Sequence, residues 1–257
     1  MRIEPCKRPK HHQFKFASDQ PLSKRMMEIP MYNETINRFS TSVIIGRQGQ
    51  GKTSLLMSML KDRNGLKQVF DKVWVFLPNT SLSNISKSPF SLLPNEQILG
   101  ELDYDNLKMV YDDVRERAED NEDLSANERK RTLIVYDDVS TQFRDKSLRQ
   151  MFKTMIKNQR HLHVSQVLIM QSWKDLEPPL RSLINNLFLF HVSKAQVQAI
   201  YSEILEIPKN KMDDLMRIVF QKPHDFMCIN CNTKMVFRNF DRVHIDEDEN
   251  PEMHAEK

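Results

Sequence analysis

The stretch Thr41–Leu60, TSVIIGRQGQGKTSLLMSML, decides the fold. The chain has five glycines in 257 residues, and Gly46, Gly49 and Gly51 all fall here. TSVII is a short β-rich apolar run ending in glycine, which predicts a buried strand. KTSLLMSML has apolar residues at helical spacing, which predicts a helix. Between them Gly46–Thr53 fits G-x-x-x-x-G-K-S/T, in the strand–loop–helix context the pattern requires. Glycine concentrates where a backbone must turn tightly and aim several N–H groups at phosphates. Side chains at Gly46 and Gly51 would block that approach. The helix that follows points its positive end at the same anion. Gly46, Arg47, Gln48, Gly49, Gln50, Gly51, Lys52, Thr53 and Ser54 therefore form the expected nucleotide-binding set. Lys52 supplies charge to the β- and γ-phosphates, and the Thr53 hydroxyl is a hard ligand for Mg²⁺. No N/T-K-x-D guanine-reading motif occurs, which favours ATP.

Outward from this loop, strands alternate with helices. Asp71–Pro78 (DKVWVFLP), TLIVYDDVS, VSQVLIMQSW and LFLFHV read as four further strands. Helical spacing recurs in two polar segments from Asn95 to about Ala118, at Lys146–Asn158, after Pro178 and Pro179, and in AQVQAIYSEIL and KNKMDDLMRIVF. Residues from Asn79 to Pro94 read as a loop, and Glu119–Arg131 as a solvated connector. FMCIN-CNTK-MVFRNF closes the series as a hairpin. The alternation predicts an α/β three-layer sandwich with a mainly parallel central sheet.

At this length the chain can bury a full core. The expected division is a basic N-terminal extension at 1–38, an ATPase domain at 39–240 and an acidic disordered tail at 241–257. Arg2, Lys7, Arg8, Lys10, Lys15, Lys24 and Arg25 make the first segment basic, a solvated tail or an arm for phosphates. No apolar run approaches the roughly 18 residues of a membrane helix. The N-terminus lacks a signal-peptide core, so a cytosolic location is expected. Three cysteines, with Cys6 far from Cys228 and Cys231, do not make a disulfide framework. The N-x-S/T matches at Asn33, Asn79 and Asn84 then carry no meaning. CINC, with His224 nearby, lacks the second pair a zinc site needs and reads as a hairpin turn. His161 and His163 are not spaced as a helical metal pair.

A phosphate loop needs a second metal anchor and a group to orient water. LIVYDD offers both: Asp137 as the Mg²⁺ ligand and Asp138, on the other side of the strand, as the group that polarises water. Gln171 ends a buried strand beside the ligand crevice and is placed to sense the γ-phosphate. A charge arriving only in the assembled state is sought in Arg160, from KNQRHLHVS, and then in Arg181, from EPPLRSLINN.

The order of phosphate loop, Asp-Asp strand, NQRHLHVSQVLIMQSW and LEPPLRSLINNLFLF resembles the packaging ATPases of nucleocytoplasmic large DNA viruses and virophages. These belong to the FtsK/HerA group of P-loop NTPases. The resemblance covers about Phe39 to Phe240. It implies an additional-strand sheet of order 5-1-4-3-2 and Mg²⁺-dependent ATP hydrolysis. It also implies a homo-oligomeric ring of five or six subunits that moves double-stranded DNA into a preformed capsid. Capsid, portal or membrane-associated virion proteins would be partners, and the host cytoplasm (virus factories) and the virion the location. By the same resemblance Lys52 and Thr53 are the phosphate-loop pair, Asp137 and Asp138 the acidic pair, Gln171 the sensor and Arg160 the trans-acting arginine. Two other readings compete: a helicase or helicase loader, and a nucleotide-stabilised scaffold that docks on a capsid. The sequence offers no obvious aromatic stacking platform for single strands, which weighs against the helicase reading.

Overall fold

The computed structural model describes residue 36 and residues 39–62, 66–78, 89–125, 127–205 and 209–244. The N-terminal extension, Ile36 apart, lies outside the described residues, as do Cys6, Asn33, Asn79, Asn84 and the tail from 245 onward.

Among the described residues nine strands form one sheet: β1 Thr41–Ile45, β2 Lys72–Phe76, β3 Ile98–Leu99, β4 Thr132–Asp137, β5 Val164–Met170, β6 Asn186–Phe190, β7 Phe226–Asn230, β8 Met235–Arg238 and β9 Asp241–Val243. Their order is β3-β2-β4-β5-β1-β6-β7-β8-β9. The five strands expected from the sequence, β1, β2, β4, β5 and β6, hold the expected 5-1-4-3-2 order and are parallel. At one edge β3 extends the sheet in parallel, and at the other β7, β8 and β9 extend it antiparallel. β1 and β5 are buried along their whole length, as central parallel strands covered on both faces must be.

One face carries the helices α2 Tyr104–Asp120, α3 Lys146–Asn158, α4 Pro178–Arg181, α5 Lys194–Ile200 and α6 Lys209–Val219. From these helices Leu107, Val110, Phe152, Met155, Val197 and Leu215 join Val43 and Ile45 of β1 in one core. The other face carries α1, Lys52–Lys61, whose Leu56 and Met59 meet Ile44 and Phe188. The three-layer sandwich thus follows from β1 alone, since its alternate side chains feed two separate cores.

Several boundaries differ from expectation. Residues 95–118 are not two helices. Asn95–Gln97 is a 3₁₀ turn, Ile98–Leu99 pairs with β2, and α2 is a single helix capped by Asp103, which accepts from the Asn106 N–H at 2.8 Å. Asp241–Val243, assigned above to the acidic tail, forms β9 against β8. Cross-strand pairing wins there over local charge. The segment after α5 continues as a π-helical turn, Tyr201–Leu205. Cys228 lies buried in β7 and Cys231 follows it in the turn to β8, and burial raises both thiols, Cys231 to about 12. No helix among the described residues is long and apolar enough to cross a membrane.

Candidate functional site

All five parallel strands of the expected set run the same way, so the loops that follow them gather at one end of the sheet. There the loop after β1, the acidic end of β4, Gln171 after β5 and Phe190 at the end of β6 surround a cavity of about 710 Å³.

The glycines divide the loop's requirements between them. A Cβ on Gly46 would lie 2.8 Å from the Phe190 Cβ and 2.8 Å from Gln50 Oε1. Gly46 is therefore demanded by packing against β6 rather than by access for phosphate, which corrects the reason given for it above. Gly49 and Gly51 have φ of 78° and 101°, a region side chains disfavour. Gly51 ends the loop and starts α1 with no side-chain cap. By contrast, Asp103 caps α2 and Asp145 caps α3. The first N–H groups of α1 thus remain open toward the cavity, where an anion can satisfy them.

Gln50 holds the loop's shape. Its Oε1 accepts from the Arg47 N–H at 2.7 Å and its Nε2 donates to the His191 carbonyl at 2.6 Å. Lys52 Nζ donates to the Gly46 and Arg47 carbonyls at 2.8 and 3.1 Å. Burial lowers its pKa, while Asp138 and Asp137 hold it up. A half-buried ammonium near two carboxylates is poised to exchange carbonyl partners for phosphate oxygens.

Thr53 Oγ1 donates to Asp137 Oδ2 at 3.2 Å. Burial raises the Asp137 carboxyl, the Thr53 hydroxyl opposes that, Asp138 adds to it and Lys52 reduces it. A carboxylate and a hydroxyl at this separation are the hard oxygen donors that suit Mg²⁺, and a dication there would favour the ionised acid. Asp138, at φ 55°, leaves the strand and is exposed. Gln171 Nε2 donates to both its oxygens, at 3.1 and 3.3 Å. The two residues singled out separately are thus one unit.

The two arginines are elsewhere. Arg160 is exposed in the turn before β5, the full length of that strand from Gln171, roughly 23 Å at 3.3 Å per residue. Arg181 lies over the Trp173 ring, donates to the Leu176 carbonyl at 2.6 Å and pairs with Glu203 at 2.8 Å. Neither reaches the cavity of its own chain.

Against the phosphate loop stands a wall that the sequence did not reveal: Phe190, His224 and Phe226, which line the same cavity as Leu55 and Ser58 of α1. His224, at φ 68°, donates from Nδ1 to the Gln50 carbonyl at 2.9 Å. Its turn is held by Asp225, whose carboxylate accepts from the Gln221 and Lys222 N–H groups and pairs with Arg238 at 3.0 Å. Burial alone would raise Asp225, but hydrogen bonds from Asn239, Lys222, Arg238 and Gln221 hold it below its ordinary value. His224 was weighed above beside the cysteines; it belongs to the phosphate loop.

A family model described as Poxvirus A32 protein matches residues 31–256. No curated protein matches by sequence. Among solved structures the chain is similar to B204, the DNA-packaging ATPase from Sulfolobus Turreted Icosahedral Virus. The TM-score is 0.55 at 16% identity, covering 82% of this chain and 100% of that one. It is also similar to the genome packaging NTPase B204 from Sulfolobus turreted icosahedral virus 2 in complex with ATP-gammaS, with TM-score 0.54, 12% identity and coverage of 82% and 100%. EssC (ATPases 2 and 3) from Geobacillus thermodenitrificans gives TM-score 0.54 at 12% identity, covering 81% of this chain and 41% of that one. At such identities the likeness carries the fold.

Proposed function

The chain belongs to the Poxvirus A32 protein family, and we propose that it is an ATP-driven motor moving viral double-stranded DNA into a preformed capsid. Genome packaging by an ATPase is the reading that the family and the B204 structures share. The observation that carries it is the convergence of the phosphate loop, Asp137 and the Asp138–Gln171 unit on one cavity.

The triphosphate lies along the loop and the N-terminus of α1, with Lys52 on its β- and γ-phosphates. Thr53 and Asp137 would hold Mg²⁺, which would supply positive charge to the phosphates. Asp138 takes the proton of the attacking water, and Gln171 keeps its carboxylate oriented toward that water. The nucleoside extends past Ser54 to the Phe190–His224–Phe226 wall, since the γ-phosphate end is fixed by the acids. The complexes of B204 with ATP-gammaS support a nucleotide ligand for this fold.

The γ-phosphate of one subunit then receives an arginine from the next in a homo-oligomeric ring. Arg160 is the first candidate, and Arg181, held by Glu203 and the Leu176 carbonyl, the second. Capsid or virion-membrane proteins, and the virus factory, are the expected partners and place.

The test is turnover by the assembled protein with double-stranded, single-stranded and no DNA. Double-stranded DNA should stimulate hydrolysis. Lys52→Ala should remove it, a loss of at least about 10²-fold for deleting one group that meets developing charge. Wild-type assemblies that never hydrolyse ATP would overturn the reading. Preference for single strands with strand separation would point to a helicase instead.

A further inference from the structure

Helix α3 links the acidic end of β4 to the start of β5 and carries more bases than any other acid-free helix among the described residues. Its thirteen residues, KSLRQMFKTMIKN, include Lys146, Arg149, Lys153 and Lys157 and no acid. Leu148, Phe152, Met155 and Ile156 are buried. At about 100° per residue, Lys146, Lys153 and Lys157 fall within an arc of roughly 40° on the side away from those four. Gln150 lies in the same stripe. The three lysines span twelve residues, eleven steps and about 16 Å along the axis.

Ordinary explanations cover only part of the stripe: Lys157, in the last turn, suits the helix dipole, but Lys146 and Lys153 have no such reason. Arg149, off the stripe, pairs with Glu177. Among the described residues Lys146, Lys153 and Lys157 have no acidic partner. The adjacent α2 carries six acids against three bases, but it pairs Lys108 with Asp112 and Arg115 with Glu119 within its own surface, and none of its acids pairs with the three lysines. Nor does helix stability call for Lys146, since a cation in the first turn opposes the helix dipole. A single-sign ridge of ammonium groups with no acidic partner among the described residues suits a polyanion with regularly spaced charge, which a duplex backbone supplies at about one charge per 1.7 Å.

We infer that the outer face of α3, through Lys146, Lys153 and Lys157, is where this chain holds the phosphate backbone of double-stranded DNA. The inference rests on the packaging reading and adds the contact surface to it. The helix is also mechanically tied to the site. Phe152 packs edge-on to Tyr136, with centroids 5.3 Å apart, and 4.7 Å from Phe143 of the intervening turn. Tyr136 immediately precedes Asp137 on β4. A load on α3 is therefore delivered to the strand that carries the acids.

The experiment compares the assembled wild type with Lys146→Gln/Lys153→Gln/Lys157→Gln and with the triple arginine variant. Affinity for a short duplex is measured across salt concentrations, with basal ATP turnover and melting temperature alongside. The glutamine variant should lose at least about tenfold in affinity at 0.1 M salt, and its salt slope should flatten by about 2.7, three contacts at 0.9 each. Basal turnover and melting should stay put, DNA stimulation should fall, and the arginine variant should behave as wild type. Unchanged affinity and slope in the glutamine variant, with wild type binding DNA, would overturn the inference and leave packaging intact. Loss of binding to an acidic virion protein with DNA affinity unchanged would overturn it in favour of a protein partner. A wild type with no duplex affinity at all would overturn the packaging reading, and this inference with it.

Discussion

The two ends of the sheet use the same residue types for opposite purposes. At the amino ends of the strands, Thr41 Oγ1 donates to Gln159 Oε1 at 2.9 Å, and Gln159 Nε2 donates to Asn185 Oδ1 at 2.9 Å. Asn185 Oδ1 also accepts from the Thr41 N–H at 2.9 Å. Asn186 Nδ2 donates to the hydroxyls of Ser40 and Ser42, at 3.1 and 3.0 Å. At the carboxyl ends Thr53 faces Asp137, and Gln171 faces Asp138. Gln159 is 8% exposed, whereas Gln171 is exposed and lines the cavity. A threonine, a glutamine and a short-chain acid or amide thus recur at both ends. What separates structure from chemistry is closure. At one end each of these groups is satisfied by another inside the fold. At the other the partners are loose and turned toward space that a ligand can fill.

The sharpest way to break this contrast lies at the open end. Asp138→Asn keeps the size of the side chain but removes the group that accepts a proton. Turnover should fall by about 10²- to 10⁴-fold, the usual worth of general-base catalysis, while ATP binding persists. Turnover and nucleotide affinity measured on the same assembly check this. Wild-type turnover in the variant would make the Asp138–Gln171 pair structural and pass the general-base role to another group.

Next in size is an effect at the closed end. Asn186→Ala leaves the Ser40 and Ser42 hydroxyls, 2% and 5% exposed, without their donor. An unsatisfied buried group costs about 1–3 kcal/mol. Denaturant melts should show that loss, while kcat stays unchanged. A fall in kcat with stability preserved would mean that this end, too, serves a ligand or a partner.

The open end was largely legible in the sequence, for a physical reason. A phosphate loop, an acidic strand end and a polar strand end are each local strings, and parallel topology alone brings them together. Gly46 was legible as a requirement but not for its cause, because Phe190 is 144 positions away. β3, two residues long, is too short to show a period, so Ile98 and Leu99 read as helix. β9 was hidden by its charge, since only pairing with Val236 and Arg238 makes a strand of Asp241–Val243. The aromatic wall was missed because it depends on the register of β7, which places Phe226 opposite Phe190. One signal was available. A strand that pairs antiparallel with β6 must begin where β6 ends, so the residues just before the hairpin, His224 and Asp225, had to sit at the site.

That wall supplies the smallest and most discriminating effect. His224 touches the loop through one hydrogen bond to the Gln50 carbonyl, in an exposed position. Such a bond is worth about 0.5–1.5 kcal/mol, so His224→Ala should raise the KM for ATP by roughly 2- to 13-fold. Because the interaction is made with ground state and transition state alike, kcat should change little. The alanine also inherits φ 68°, a left-handed conformation, so the second variant should be His224→Asn. Asparagine tolerates that backbone and keeps an N–H donor, and it should recover much of the lost affinity. KM rising in the alanine variant and returning in the asparagine variant would assign the wall to the nucleotide through its hold on Gln50. A fall in kcat instead would move His224 to the side of Asp138, and the division of the cavity into a chemical wall and a binding wall would fail.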